Sequence, residues 1–227
     1  TLAELSVEEV LDWVRERSAR VNAETIRRDL AVLSSVCKAA TVVWKHAGSN
    51  PVPEARTFIQ TTGLLSAKVN RRRRLEPGEY KRLLRGLRET PIMRDVVRFI
   101  IETGLRRSEV TDLLAGRLRF DGVYIDGDKT QTNDTIPMSS RARRILLRYP
   151  DGFPMRPDSI SQAFRRACKR EGIVGLRLHD LRREATSRFF EMGLAAPEVM
   201  MITRHKNLKT LGIYSRPRTG DVSRKLG

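Results

Sequence analysis

Apolar residues return at helical spacing along almost the whole chain. That spacing gives way only between Arg117 and Met138, where two Asp-Gly pairs, Asp121-Gly122 and Asp126-Gly127, are flanked by the short β-prone runs LRF, VYI and TIPM. A 3.6-residue period buries one face of a helix, whereas an Asp-Gly turn between short extended runs closes an antiparallel pair. The chain is therefore expected to be mainly α with a small antiparallel β-sheet. In SVEEVLDWVRERSA, Val7, Val10, Leu11 and Val14 share one face, and Ser6 with Glu9 has the spacing of a capping box. A longer helix is expected from about Ala23 to His46, with Ile26, Leu30, Leu33, Val36, Ala40, Val43 and Trp44 on its buried face, and Asn50, Pro51 and Pro53 interrupt the pattern before a short segment near Glu54 to Gln60. Later helices are placed from Pro77, from Pro91 to a stop at Gly104, from Arg107, and from about Ser140, Asp158, His179 and Pro197.

Two regions differ in charge. The whole chain carries +17, yet residues 1–70 hold nine basic and eight acidic side chains and residues 71–227 hold 35 and 19. The excess is therefore +1 in the first part and +16 in the second. A polyphosphate partner gains free energy by releasing counterions from such a surface, so nucleic acid is the natural ligand. With 227 residues, one large domain or two smaller ones could each bury a core. The composition suggests residues 1–66 as a small helical domain, 67–75 as a basic linker and 76–227 as a second, mainly helical domain. In the linker, Arg71, Arg72, Arg73 and Arg74 run consecutively, either as a solvated segment or as a strap against phosphates. No apolar run approaches the roughly 18 residues that cross a bilayer, and no signal-peptide pattern opens the chain, so a cytoplasmic, nucleoid-associated setting and no membrane partner are expected. Cys37 and Cys168 are the only cysteines; with no CxxC pair to hold a metal, both read as buried, inert thiols. Thr1 in place of Met points to a fragment or a trimmed chain.

Three histidines and four tyrosines make the chemistry-bearing positions easy to survey. His179 lies in LHDLRRE three residues before Arg182, on one helical face. Arg106 lies in ETGLRRSEV, Lys129 in GDKTQTNDTIP at an expected turn of the sheet, and His205 and Tyr214 in RHKNLKTLGIY. A phosphodiester undergoing displacement develops charge on its equatorial oxygens, and two guanidinium forks with imidazole donors match that charge in position and sign. Arg106 and Arg182 would form the clamp, with Glu109, three residues on, holding the Arg106 guanidinium. A tyrosine with a phenol pKa near 10 needs a base or a cationic site to act as nucleophile, and His179 could supply the base for Tyr214. The departing 5′ oxygen needs a proton, which Lys129 on a turn could deliver. Singly, each residue has an ordinary explanation: a surface ion pair for either arginine, a helix cap for His179, a solvated loop for His205, a core aromatic for Tyr214, a plain turn lysine or helix-surface acid for Lys129 or Glu109.

Taken in order, the boxes resemble the tyrosine recombinase family, which includes phage integrases and DNA invertases. TGLRRSEV is similar to the family's first-arginine box and LHDLR to its His-x-x-Arg box. In RHKNLKTLGIY eight residues separate His205 from Tyr214, as in the family pattern, and Lys129 falls eight residues before Pro137, like the family's β-hairpin lysine. The resemblance is strong over residues 75–227 and weaker over 1–66, which are similar to a helical core-binding domain. It implies a two-domain, C-shaped clamp on double-stranded DNA with inverted-repeat sites, acting as a homotetramer with possible accessory DNA-bending proteins. It implies strand exchange through a 3′-phosphotyrosine on Tyr214, with no cofactor and no metal. Arg107 and Arg183, beside the catalytic arginines, are further candidates for DNA contact. Arg204 departs from the pattern, standing where many members have Gly, and so does Ser215-Arg216 after the tyrosine. No arm-binding domain is expected in this stretch. A type IB topoisomerase-like enzyme, or a non-catalytic DNA-binding protein on the same scaffold, are the alternative readings.

Overall fold

The computed structural model describes residues 4–45, 48–67, 73–126 and 134–212. Its helices and single small sheet fall into two compact units, Thr1–Arg71 and Arg72–Gly227.

In the first unit, α1 (Val7–Ser18) opens at Ser6, whose hydroxyl accepts the Glu9 N–H while the Glu9 carboxylate accepts the Ser6 N–H at 2.8 Å. This reciprocal pairing satisfies two of the donors that a helix start leaves open. α2 (Ala23–Val42) is capped by Asn22, and α3 (Val52–Thr62) carries Pro53 in its first turn, where a missing N–H costs nothing. Val10, Leu11, Val14, Ile26, Leu30, Val52, Ala55, Ile59 and Leu65 close the core. The second helix ends four residues earlier than its apolar pattern predicts. Val36, Val43 and Trp44 are exposed, Val43 and Trp44 by 69% and 64%, because α2 contributes to the shared core through Ile26 and Leu30, near its start.

The second unit is built around α5 (Pro91–Thr103), whose Met93, Val96, Val97, Phe99, Ile100 and Ile101 are all buried. α5 packs against α7 (Ser140–Leu146) and α9 (Leu178–Glu191), while α4 (Glu79–Gly86) packs on α8 (Pro157–Arg170). α4 begins two residues after Pro77 because Gly78 takes φ +82°, a left-handed turn that a continuing helix cannot contain. α6 (Arg107–Thr111), α10 (Ala196–Thr203) and α11 (Leu208–Leu211) are short. The sheet is the expected antiparallel pair, β1 (Gly122–Ile125) and β2 (Asp134–Pro137), in the register Val123 to Ile136. The LRF run contributes only a bridge from Leu118 to Val123. Both cysteines are buried, and burial pushes the Cys168 thiol up to about 11, which keeps it protonated. Among the described residues no helix is long and apolar enough to cross a membrane.

Candidate active site

The site begins where α5 stops. Gly104 takes φ +65°, and a Cβ there would sit 2.9 Å from Thr203 Cγ2, so only glycine allows both the turn and the close approach of α10. Its carbonyl accepts the Arg182 Nη1–H at 2.7 Å. Two residues on, Arg106 is the N-cap of α6, and its N–H donates to Glu109 Oε2 at 2.7 Å, the N3-glutamate half of a capping box. The same carboxylate accepts the Arg106 Nη1–H at 2.8 Å through Oε1. Glu109 therefore starts the helix and holds the guanidinium, as its spacing predicts.

α9 supplies the second arginine. Asp180, buried at the N3 position, accepts the Arg177 N–H at 2.8 Å and so starts this helix as Glu109 starts α6. Arg182, one turn further in and only 3% exposed, places Nη1 3.9 Å from Glu109 Oε2 and Nη2 3.3 Å from His205 Nε2. α10 then ends at Arg204, whose φ of +54° is left-handed, at a cost of about 1–2 kcal/mol for a residue with a side chain. Arg204 is nonetheless buried, with Nη1 3.1 Å from Glu109 Oε1, and its carbonyl accepts the Arg106 Nη2–H at 3.4 Å. Three guanidiniums thus surround one carboxylate, and these four side chains together carry +2.

Both imidazoles are disfavoured as cations for a physical reason. The Thr203 hydroxyl donates to the Val199 carbonyl at 2.5 Å, so toward His205 Nδ1, 2.6 Å away, it accepts. That arrangement suits the His205 tautomer with its hydrogen on Nδ1, and Arg182 Nη2 lies nearly equidistant from the two ring nitrogens, 3.4 Å from Nδ1 and 3.3 Å from Nε2. Burial, then Arg182, Arg106 and His179, push His205 down to about 3. Burial followed by Arg182 and Arg183 also lowers His179. An incoming phosphodiester would reverse part of this by bringing negative charge to both rings. Arg106, Arg107, Ser161, His179 and Arg182 are among the residues lining a cavity of about 250 Å³.

The expected residues divide accordingly. Arg106, Glu109, Arg182 and His205 meet within hydrogen-bonding or ion-pair distance, and His179 joins Arg106 and Arg182 at the cavity wall. Tyr214, Lys129, Arg71 and Arg72 lie outside the described residues. Arg107 donates to Ser161 Oγ at 2.6 Å, and Arg183 lies 3.5 Å from Asp180. Arg73 and Arg74 are committed to carboxylates of the second unit: Arg73 to Glu79 at 2.5 Å, Arg74 to Glu184 at 3.0 Å and Glu191 at 2.6 Å. A phosphate would have to compete with those carboxylates for them. Sequence reading missed Thr203 and the Gly104 carbonyl, which act through distance and direction and leave no residue-type signal. Among the described residues no group of three or more His, Cys, Asp or Glu is placed to hold a metal ion.

Known proteins share this arrangement of chain. The family model described as "Phage integrase family" matches residues 73–220. The shufflon-specific DNA recombinase of Escherichia coli is 33% identical over 215 residues, covering 91% of this chain; the chain spans 54% of that protein, about half its length. Among solved structures, the Tn1549 transposon integrase in complex with circular intermediate DNA superposes with a TM-score of 0.76 at 15% identity, covering 100% of this chain and 86% of that one. A lambda integrase tetramer bound to a Holliday junction gives 0.71 at 17% identity, covering 90% and 65%. At such identities the structural likeness is one of fold. The family model spans every described candidate from Arg106 to His205, and on that match the chain belongs to the phage integrase family.

Proposed function

We propose that this chain is a tyrosine-type site-specific DNA recombinase, with Tyr214 as nucleophile. The observation that carries the reading is the meeting of Arg106 and Arg182 at Glu109, with His205 against Arg182, drawn from three segments far apart in sequence. A cationic site with one shared carboxylate, beside a cavity, suits a phosphodiester whose equatorial oxygens gain charge in the transition state.

In the proposed step the Tyr214 phenolate attacks phosphorus, the bond from phosphorus to the 5′ oxygen breaks, and a 3′-phosphotyrosine forms. The phenol's proton passes to a base, for which His179 is suited because burial and neighbouring arginines disfavour its charged form, and the departing 5′ oxygen takes a proton from Lys129. Arg106 and Arg182 bear on the non-bridging oxygens, joined by His205. A 5′ hydroxyl of a second duplex reverses the step. Because the ester conserves the bond energy, neither metal nor nucleotide is required. Residues 1–66 are proposed as a core-binding domain, 67–75 as a basic connector and 76–227 as the catalytic domain, the two domains forming a C-shaped clamp on inverted-repeat DNA. A tetramer on two duplexes, accessory bending proteins and a cytoplasmic, nucleoid-associated setting belong to the same proposal.

A nicked suicide duplex tests it. The wild-type chain should form a covalent adduct that Tyr214→Phe abolishes while still binding DNA. An adduct on the Phe variant refutes the nucleophile, and none on wild type refutes the reading. Exchange of strands between two labelled duplexes, as opposed to resealing of one strand, separates a recombinase from a topoisomerase-like enzyme.

A further inference from the structure

We propose that Arg204 is a positioning residue of this site: bound to Glu109, it keeps the Arg106 guanidinium in its catalytic orientation and adds a third guanidinium to the charge around the scissile phosphate. The proposal rests on the recombinase reading above and goes beyond it, because neither the clamp pair nor the family pattern includes a cation at this position.

The backbone at residue 204 sits at φ +54°, a conformation for which glycine is the unstrained choice. A large charged residue is there instead, and its guanidinium points inward, with the side chain 5% exposed. A charged group that merely capped α10 would reach solvent, since desolvating a guanidinium is costly. Here the cost is offset by Glu109 Oε1, which Arg204 Nη1 shares with Arg106 Nη1 at 3.1 and 2.8 Å. The other carboxylate oxygen takes the Arg106 N–H at 2.7 Å. With both oxygens engaged, the carboxylate has little freedom to rotate, and Arg106 is held along its length. The Arg204 carbonyl adds a second hold on Arg106 through Nη2 at 3.4 Å. His205 follows directly in the chain, so the same turn that buries Arg204 also aims the imidazole at Arg182. Without Arg204, Glu109 would keep Arg106 at 2.8 Å and Arg182 at 3.9 Å, and the cluster would lose one positive charge where the transition state needs it.

The test uses the 227-residue chain with Arg204→Gly, Arg204→Lys and Glu109→Gln, the glycine variant suiting the backbone conformation. Two readouts are taken. One is solvent exchange of the Arg106 Nε–H by ¹⁵N NMR in the free protein, assigned by its loss in Arg106→Lys. The other is the single-turnover rate of adduct formation on the suicide duplex. In Arg204→Gly, Arg106 exchange should accelerate and cleavage should slow about tenfold to a hundredfold, the scale of a misplaced catalytic group. Because a lysine keeps a cation able to reach Glu109 Oε1, which Arg204 Nη1 contacts at 3.1 Å, Arg204→Lys should recover part of both. Added to Glu109→Gln, the glycine change should cost little more, since both act through one carboxylate. Unchanged Arg106 exchange in Arg204→Gly, or a loss fully additive with Glu109→Gln, overturns the proposal. Should the glycine variant not fold, Arg204→Met replaces it: loss of protection in Met with retention in Lys supports the role, and equal protection in both refutes it. A wild-type chain that forms no adduct, while Arg106 still loses protection in Arg204→Gly, refutes the recombinase reading and leaves the positioning role standing.

Discussion

Glu109 concentrates the conflict between stability and function in this molecule. It is nearly buried and flanked by Arg106, Arg182 and Arg204, so removing it leaves like charges facing one another without the carboxylate they share. Glu109→Ala is expected to cost about 3 kcal/mol, the lower end for breaking a buried pair, readable as a lower urea midpoint at constant slope. His205 gives the site a pH signature. The native ring stays neutral down to about pH 3, whereas in the unfolded chain it titrates near 6.5. Between those values the unfolded state takes up a proton that the native state refuses, so stability falls as the pH drops through that window, by up to about 1.4 kcal/mol per pH unit. Replacing the ring with a neutral amide, His205→Gln, should flatten the dependence of unfolding free energy on pH between 6.5 and 4. Equal slopes for the two proteins would sink the assignment of a depressed imidazole. Of these contacts, only the pairing of Arg106 with Glu109 could be read from spacing, because it closes within one helical turn.

Elements were legible wherever their boundaries are set by local chemistry. The Ser6–Glu9 capping box, the stop at Gly104, and helix starts within one residue of Ser140, Asp158, His179 and Pro197 all follow from groups only a few residues apart. Ser6→Ala is expected to destabilise the first unit by about 1 kcal/mol, the usual value of such a cap, as measured by chemical denaturation. At Gly104 more is at stake, since the left-handed turn and the 2.9 Å approach to Thr203 link the end of α5 to the end of α10. Gly104→Ala should cost about 1–2 kcal/mol from the backbone alone. It should also lower the adduct rate by displacing Arg182's carbonyl partner, an outcome that a thermal-shift assay and the suicide duplex read separately. Misjudged elements were those whose limits depend on packing. α2 stops at Val42 although its apolar pattern continues, because burial of that stripe requires a partner that periodicity does not specify. α4 starts late because Gly78 turns left-handed, and the buried Glu79 accepts the Glu76 N–H at 2.8 Å.

At the scale of the molecule, charge is the property with the longest reach. Nearly all of the +17 belongs to residues 71–227, so DNA binding should weaken steeply with salt. A slope of log K against log[salt] of about −5 or steeper is expected if six or more phosphates are neutralised, and a near-zero slope in a titration with labelled duplex would contradict it. Part of that charge is already spent, since Arg73 and Arg74, which the sequence leaves as either a solvated segment or a strap against phosphates, are bound to Glu79, Glu184 and Glu191. By itself the sequence determined the helical character, the antiparallel pair, the basic half and the pairing of Arg106 with Glu109, because periodicity, turn chemistry, net charge and short-range spacing are all local or additive. Only the tertiary structure decided that Arg182 leans on the Gly104 carbonyl and against the His205 ring, and that Arg204 turns inward to Glu109. Those are distances between segments up to 95 residues apart, and they exist only once the core around α5 has closed and left each polar group with one place to put its hydrogen bond.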